Sequence, residues 1–457
     1  MSKKLEFPLN LPGRQIGVRL FGQTDYRSNN KVFGIKTFDR RRHMYILGKT
    51  GTGKSTMMQN MIIADIMEGK GVGVLDPHGD LIEEILEMIP EKRIKDTVLF
   101  DPSDTDYPVG INLLKLRDNS QRDVVADGIV EVFKRQFGHS WGPRLQYILT
   151  NAILTLLECQ NVSMLAIIRI LSDHNYRKFL LKQVKDPVIK SFWENEYTEM
   201  TKNSRLLSET LSPIQNKVGR FVSSPMIRNM IAQVGSSIRI DELMDEGKIL
   251  LVNLSQGKIG EENSTLLGGL FVTKIFSSAM QRASQQKEDR RDFYLYVDEF
   301  QSFANNTFVK ILSEARKYGL NLTVAHQYID QISYEITDAI FGNVGTMAVF
   351  TVGQKDAQKL EKEFKPYLDF EDLVNLQKYA FVCKLMIDQS QSKPFTAKSL
   401  PPLYKGDKLR IEKVKTYTRE HYAMKREDIE EKINKWSAQS YNEQGNLITN
   451  SKRKKSK

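Results

Sequence analysis

Nine consecutive residues carry the clearest chemistry in this chain: Gly48-Lys49-Thr50-Gly51-Thr52-Gly53-Lys54-Ser55-Thr56. Glycines at that spacing let the backbone turn tightly enough for several N–H groups to face the oxygens of a phosphate. A helix opening at Lys54 adds the positive end of its dipole at the same point. Lys54 could then reach the outer phosphates of a nucleotide, and the Ser55 hydroxyl could help hold Mg²⁺. An ordinary glycine turn has no particular setting. This one follows the apolar run Met44–Leu47 and precedes a helical stretch to about Met67, which is the strand–loop–helix context such a loop requires. No guanine-reading NKxD pattern is present, so ATP with Mg²⁺ is the expected ligand.

A second constellation supplies what a hydrolase needs. The apolar run Tyr294–Val297 ends in Asp298 and Glu299. Asp298 could orient the shell of a bound Mg²⁺, and Glu299 could polarise an attacking water. Two adjacent acids alone could also mark a helix N-terminus, which favours negative charge. Beside a phosphate loop they read as catalytic. A water-activating glutamate argues against a small-molecule kinase, whose nucleophile is its substrate. Gln327 ends the next apolar run and could sense the γ-phosphate or the attacking water, or it could simply be a polar residue leaving the sheet. Arg316 stands ahead of Gly319 near a helix end. It could act as an arginine finger toward a neighbouring subunit's ATP, or as a cation that complements the helix dipole. Asp76-Pro-His-Gly-Asp80 ends another apolar run. Asp76 could lie near Mg²⁺ or the phosphate loop. A structural turn with Asp80 as helix cap accounts for the motif equally well.

These residues need elements to position them. Strand-like runs at 44–47, 71–75 and 97–100 alternate with helical patterns, the signature of a parallel sheet covered by helices. From about Gln121 to Ile240 the strands stop and helical spacing takes over. Strand patterns return at 249–252, 293–297, 320–325, 347–352 and 381–386. The expected fold class is α/β with a mainly parallel sheet, interrupted by an all-α inserted domain. The boundaries follow as an N-terminal segment 1–30, a nucleotide-binding domain of 31–115 and 246–400, the all-α insertion 116–245, and a charged extension 401–457.

Composition narrows the class further. Hydrophobic residues make up 40% and charged residues 27% of the chain, ordinary for a globular protein. No run of 18 apolar residues occurs and the first residues do not form a secretory signal, so a cytoplasmic protein is expected. Cys159 and Cys383 stand far apart without CxxC, and six histidines lack HxxxH spacing, so neither a disulfide framework nor a protein-ligated transition metal is expected. The net charge is +11, and residues 401–457 carry 15 Lys+Arg against 8 Asp+Glu. The terminal run Ser451–Lys457 reads either as a contact for nucleic acid or anionic lipid, or as a solvated end.

In order, the motifs are Arg42 to Thr56, Val74-Leu-Asp-Pro-His-Gly-Asp80, Gly247 to Leu254, Val297-Asp-Glu-Phe300, Glu314-Ala-Arg-Lys-Tyr-Gly-Leu320 and His326-Gln327. That series resembles the HerA–FtsK superfamily of ring-shaped motors. Within it, the chain is most similar to the coupling-protein ATPases of type IV secretion and conjugation, over residues from about 30 to 400. The resemblance implies a RecA-like P-loop NTPase fold and a homo-hexameric ring with DNA in its channel. It places Lys54, Ser55, Asp298, Glu299 and Gln327 at nucleotide-site positions and Arg316 at the finger position. Relaxosome or secretion-channel proteins are the implied partners. Coupling proteins usually carry N-terminal membrane helices, which are missing here. The resemblance is therefore compatible with peripheral docking at the inner face of the membrane, and with a soluble relative that processes or packages DNA. A third reading is an ATP-dependent adaptor that recruits protein cargo through the all-α domain.

Overall fold

The computed structural model describes residues 17–25, 30–117, 119–138 and 141–448. The basic run Ser451–Lys457 and most of the first 30 residues lie outside the described residues. The chain forms two compact units, Met1–Asp101 with Ile240–His421 and Pro102–Arg239 with Tyr422–Lys457.

The first unit is built on an 11-stranded sheet. In chain order the strands are β1 (Val18–Thr24), β2 (Val32–Lys36), β3 (Met44–Leu47), β4 (Gly71–Asp76), β5 (Thr97–Phe100), β6 (Ile249–Asn253), β7 (Phe293–Val297), β8 (Leu320–His326), β9 (Thr346–Phe350), β10 (Ala380–Lys384), β11 (Met386–Ile387), β12 (Ser390–Gln391) and β13 (Phe395–Ser399). Strands β11 and β12 form a separate ribbon, and the main sheet runs β2-β1-β13-β10-β9-β3-β8-β7-β4-β6-β5. From β9 to β5 every pairing is parallel. From β9 outward through β10, β13, β1 and β2 every pairing is antiparallel.

The parallel part follows from the sequence. Runs such as Ile249–Asn253 and Phe293–Val297 are buried at every position, as strands covered on both faces must be. Helix α1 (Lys54–Met67) is apolar nearly all round, and Met57, Met58, Met61, Ile62, Ile63 and Ile66 are fully buried. It is enclosed because the chain returns over it. Asn60 donates to Pro401 O at 2.9 Å and accepts from Leu403 N at 3.0 Å. Val414, in the helix Leu409–Tyr422, joins the same core cluster.

The outer strands of the antiparallel flank, β1, β2 and β13, were not expected, whereas β10 lies on the strand pattern read at 381–386. Residues 18–24, read from sequence as part of a leading segment, form β1. They pair with β13, nearly 400 residues further along the chain: Gly22 faces Ser399 and Thr24 faces Ala397. Of the described residues beyond 401, those to His421 cluster with the first unit and those from Tyr422 with the second.

The second unit is mainly helical. Its longer helices are Arg122–Phe137, Pro143–Glu158 and Ser204–Ser223. Phe192, Trp193 and Tyr197 are buried together, and the Trp193 indole N–H reaches Thr155 Oγ1 at 2.8 Å. The helix Arg426–Ser437 packs on this unit, with Asn229 donating to Glu430 at 3.1 Å and Arg169 to Trp436 O at 2.9 Å. Among the described residues no helix is long and apolar enough to cross a membrane.

Candidate functional site

Parallel pairing brings the C-terminal ends of β3, β8, β7 and β4 to one edge of the sheet. Leu47 lies beside His326, Val297 beside Val324, and Leu75 beside Val297. In open α/β sheets this edge is where ligands bind. The loop from Gly48 to Gly53 leaves β3 here and enters α1 at Lys54.

That loop is held by its neighbours. Gly48 N–H donates to His326 O at 3.3 Å and Lys49 N–H to Thr351 O at 2.9 Å. Gly48, Gly51 and Gly53 have φ of +154°, +75° and +113°. A β-carbon on Gly48 would lie 2.5 Å from Phe350 Cβ, so strand β9 itself requires glycine there. Lys49, Thr50, Gly51 and Ser55 are exposed, Thr52 and Thr56 are half-buried, and Lys54 is buried. The Lys54 ammonium folds back on the loop, 2.7 Å from Gly48 O and 3.1 Å from Lys49 O. Burial lowers its pKa, and Glu299 and Asp298 offset part of that effect. Thr52 Oγ1 donates to Lys49 O at 2.7 Å and stiffens the turn.

Opposite the lysine stand the acids. Asp298 and Glu299 are 6% and 8% exposed. Glu299 sits at φ +42°, a left-handed conformation that a side chain rarely adopts, and its N–H donates to Asp298 Oδ1 at 2.9 Å. The Glu299 carboxylate is clamped on both oxygens. Gln327 Nε2 donates to Oε1 at 2.9 Å and Gln301 Nε2 to Oε2 at 2.7 Å. Gln301 was missed in the sequence, although its spacing two residues past Glu299 places it in the same short turn. Beneath them His326 is buried with its Nε2 hydrogen-bonded to Tyr45 OH at 2.6 Å, and its pKa is pushed down to about 3 by burial and then by Lys54.

Asp76 does two things. It holds its own turn, accepting from His78 N at 2.8 Å and Ile82 N at 3.2 Å. The helix Asp80–Met88 starts after Gly79 with no side-chain cap of its own, so Asp80 is its first residue rather than its cap. Asp76 also adds negative charge beside Asp298. Burial, then Asp76 and Glu299, push the Asp298 carboxyl up to about 7. This cluster is short of positive charge, with Lys54 as the cation acting on it. Among the described residues no three His, Cys, Asp or Glu side chains converge as a protein-only metal cage. A hydroxyl at Ser55 and a carboxylate at Asp298, sharing the ion with phosphate oxygens, is the donor set Mg²⁺ takes at nucleotide sites. The charge deficit fits such an ion.

Thus the structure gathers Lys54, Asp298, Glu299, Gln327 and Asp76 on one edge, with Ser55 beside Lys54 on α1. It does not bring Arg316 to them. Arg316 is exposed in the turn Ala315–Tyr318, at the start of β8, whereas Gln327 follows that strand's end. Seven residues of strand separate the two sheet edges by about 20 Å.

Residues 32–380 match the model of the type IV secretion-system coupling protein DNA-binding domain. Among solved structures, the unbound bacterial conjugative coupling protein TrwBdeltaN70 aligns with a TM-score of 0.58 at 14% identity, over 85% of this chain and 89% of that one. TrwB in complex with ADP and Mg²⁺ aligns at 0.56 and 13%, over 84% and 92%. VirB4 of Thermoanaerobacter pseudethanolicus aligns at 0.56 and 15%, over 85% and 97%. These proteins share the fold. No curated protein sequence matches.

Proposed function

This chain belongs to the type IV secretion-system coupling protein DNA-binding domain family, and from that premise we propose that it is an ATP-driven DNA translocase of a conjugative or secretion system. The observation that carries the reading is the buried clamp on Glu299, held by Gln327 and Gln301 across from Lys54. A module that merely binds nucleotide has no use for a carboxylate fixed in this way.

The phosphates of ATP would lie along the N–H groups of residues 49–56. Lys54 Nζ would exchange the carbonyls of Gly48 and Lys49 for outer phosphate oxygens. Ser55 and Asp298 would hold Mg²⁺, which when bound supplies positive charge to the phosphate oxygens. Each Glu299 oxygen accepts one amide bond and keeps a lone pair. It can therefore take the proton from a water whose oxygen attacks the γ-phosphorus as the bond to the bridging oxygen breaks. TrwB has been captured with ADP and Mg²⁺, which supports the same ligands here.

Arg316 cannot cross the sheet to its own phosphate loop. On an assembled ring, the homo-hexamer that the family resemblance implies, it would serve the neighbour's ATP. DNA in the channel would be held through its phosphates, in a salt-sensitive and sequence-blind manner. Relaxosome or secretion-channel proteins would deliver and receive it at the inner face of the membrane.

The test is ATP hydrolysis by the purified protein with and without single- and double-stranded DNA, with Lys54→Ala as the blank. Stimulation by DNA that vanishes in Lys54→Ala supports the motor, and the preferred strand type defines its track. Turnover indifferent to both DNAs removes DNA as the direct substrate and leaves a protein cargo for the all-α domain.

A further inference from the structure

The acids and Gln327 all lie on the side of the phosphate loop toward β8 and β7. Hydrolysis requires the γ-phosphate on that side. The triphosphate is an unbranched chain lying along the loop, so the nucleoside at its other end is placed toward the remaining side, where β9, β10 and β13 stand.

That side has a built feature which the hydrolytic chemistry does not use. Strand β10 runs antiparallel to β9, so its first residues return to the edge of the phosphate loop, and the end of β13 arrives beside them. Tyr379, immediately before β10, is 48% exposed although its strand neighbours are buried. Its ring reaches the loop. A β-carbon built on Gly53 would lie 3.1 Å from Tyr379 Cδ1 and 3.1 Å from Ser399 Oγ. The backbone of Tyr379 adopts φ +68°, a conformation that favours glycine, and yet it carries a large aromatic side chain. Strain of this kind persists where surrounding structure fixes it and is concentrated at functional sites. Here Tyr379 O accepts from Ser399 N at 2.9 Å, which locks the residue against β13. The Lys378 ammonium stands 5.0 Å from the ring centroid.

We propose that Tyr379 is the platform on which the purine base of the nucleotide stacks. An exposed aromatic ring fixed beside the exit of a phosphate loop offers a π-face to the base. This inference rests on the nucleotide reading above and adds a residue that does not touch the phosphates.

Equilibrium binding to the full chain, in the presence of Mg²⁺, separates the two. The probes are ATP and inorganic tripolyphosphate, which has the phosphates and lacks the base. Tyr379→Gly removes the ring and suits the positive φ better than tyrosine does, so backbone strain cannot account for any loss. Tyr379→Phe keeps the ring. The expected result is ATP affinity about 10-fold or more weaker in Tyr379→Gly, tripolyphosphate affinity unchanged, and near-normal ATP binding in Tyr379→Phe. Tyr379→Trp should add a fluorescence signal quenched by ATP and not by tripolyphosphate. Unchanged ATP affinity in Tyr379→Gly overturns the platform while leaving Lys54-dependent binding, and hence the nucleotide site, intact. Equal losses for both probes also overturn it, since the residue would then support the loop rather than the base. If the unaltered protein binds neither probe, the nucleotide reading falls and the platform with it.

Discussion

Replacing Asp65 by asparagine should destabilise the first unit by about 3 kcal/mol, the low end of the range for breaking a buried ion pair. Asp65 is fully buried on α1, near the end opposite Lys54. It accepts from Arg40 Nη1 at 2.7 Å and Nη2 at 2.8 Å, from Arg19 at 2.8 Å and from Tyr296 OH at 2.5 Å. Arg19 and Arg40 are each 5% exposed, and Arg40 also lies 3.8 Å from the ring centre of Tyr294. Asparagine keeps the shape and removes the charge, so two buried guanidinium groups lose their shared counter-ion. Glu68, 2.8 Å from Arg19 and partly exposed, still serves one of them, which is why the low end applies. The network joins α1, which carries the phosphate loop, to β7, which carries the acid pair, so the loss should also loosen the site. All three tryptophans (Trp141, Trp193 and Trp436) belong to the second unit. In urea, far-UV circular dichroism should therefore show an earlier transition, by roughly 1 M, while tryptophan fluorescence keeps its midpoint. A combined variant with Arg19→Met, Arg40→Met, Asp65→Leu and Tyr296→Phe should recover most of the loss, because apolar groups of similar volume leave no orphaned charge. An unshifted dichroism midpoint in Asp65→Asn, or a combined variant no better than the single one, would refute the reasoning. The pH dependence has a fixed sign. Burial alone raises the Asp65 carboxyl, but Arg19 and Arg40 outweigh it and hold it below the usual carboxylate range. Its contribution is thus complete above about pH 4 and is lost as pH falls through the native value.

Three further outcomes are expected. Glu299→Gln should retain ATP binding, seen as an ATP-dependent rise in thermal midpoint, while hydrolysis falls about 10²- to 10⁴-fold; turnover near normal removes Glu299 as the base. Arg316→Ala should bind ATP normally and hydrolyse it about 10³-fold more slowly. Mixing it with Lys54→Ala chains should restore part of the activity, and the absence of any rescue would reduce Arg316 to a helix-end cation. His43 and His326 are buried and neutral, with pKa values pushed down to about 4 and about 3, chiefly by burial. Below about pH 6.5 each takes up a proton only on unfolding, so stability should fall by about 1.4 kcal/mol per pH unit for each histidine. A urea midpoint unchanged between pH 7 and pH 5.5 contradicts this.

The parallel half of the sheet was legible because its signals are local. Each strand is a short apolar run, and four of them end in a chemically distinctive residue: Gly48 after β3, Asp76 on β4, Asp298 after β7 and Gln327 after β8. Those residues are thus brought together by topology alone. The Glu299 clamp was half legible. Gln327 ends a strand and invites attention, whereas Gln301 sits in a turn whose geometry depends on Glu299 adopting a positive φ, and nothing in its residue type announces that.

Two strands of the antiparallel flank, β1 and β13, were illegible for a physical reason, whereas β10 had shown as the apolar run 381–386. They are mixed in polarity, as in Phe395-Thr-Ala-Lys-Ser399, and pair with each other across hundreds of residues. Such strands have little local preference, and the registers that define them arise only when the chain ends meet. This flank nevertheless completes the site. Thr351, one residue past β9, fixes Lys49, and Phe350 leaves room at Gly48 for glycine alone. The turn before β10 brings Tyr379 to Gly53. The local, strongly patterned half of the sequence therefore encodes the phosphate chemistry, whereas the surface facing the rest of the nucleotide is assembled by long-range pairing. Substitutions along β1 and β13 should accordingly alter nucleotide affinity with no contact to the phosphates, and a Gly22→Val variant is the sharpest case. A β-carbon there would lie 2.6 Å from the Phe33 ring and 2.8 Å from the Phe381 ring, displacing the aromatic side chains that pack β1 against β2 and β10. Weaker ATP binding with an intact Lys54-dependent response to tripolyphosphate is the expected outcome, and equal binding of ATP would show that the flank is scaffold only.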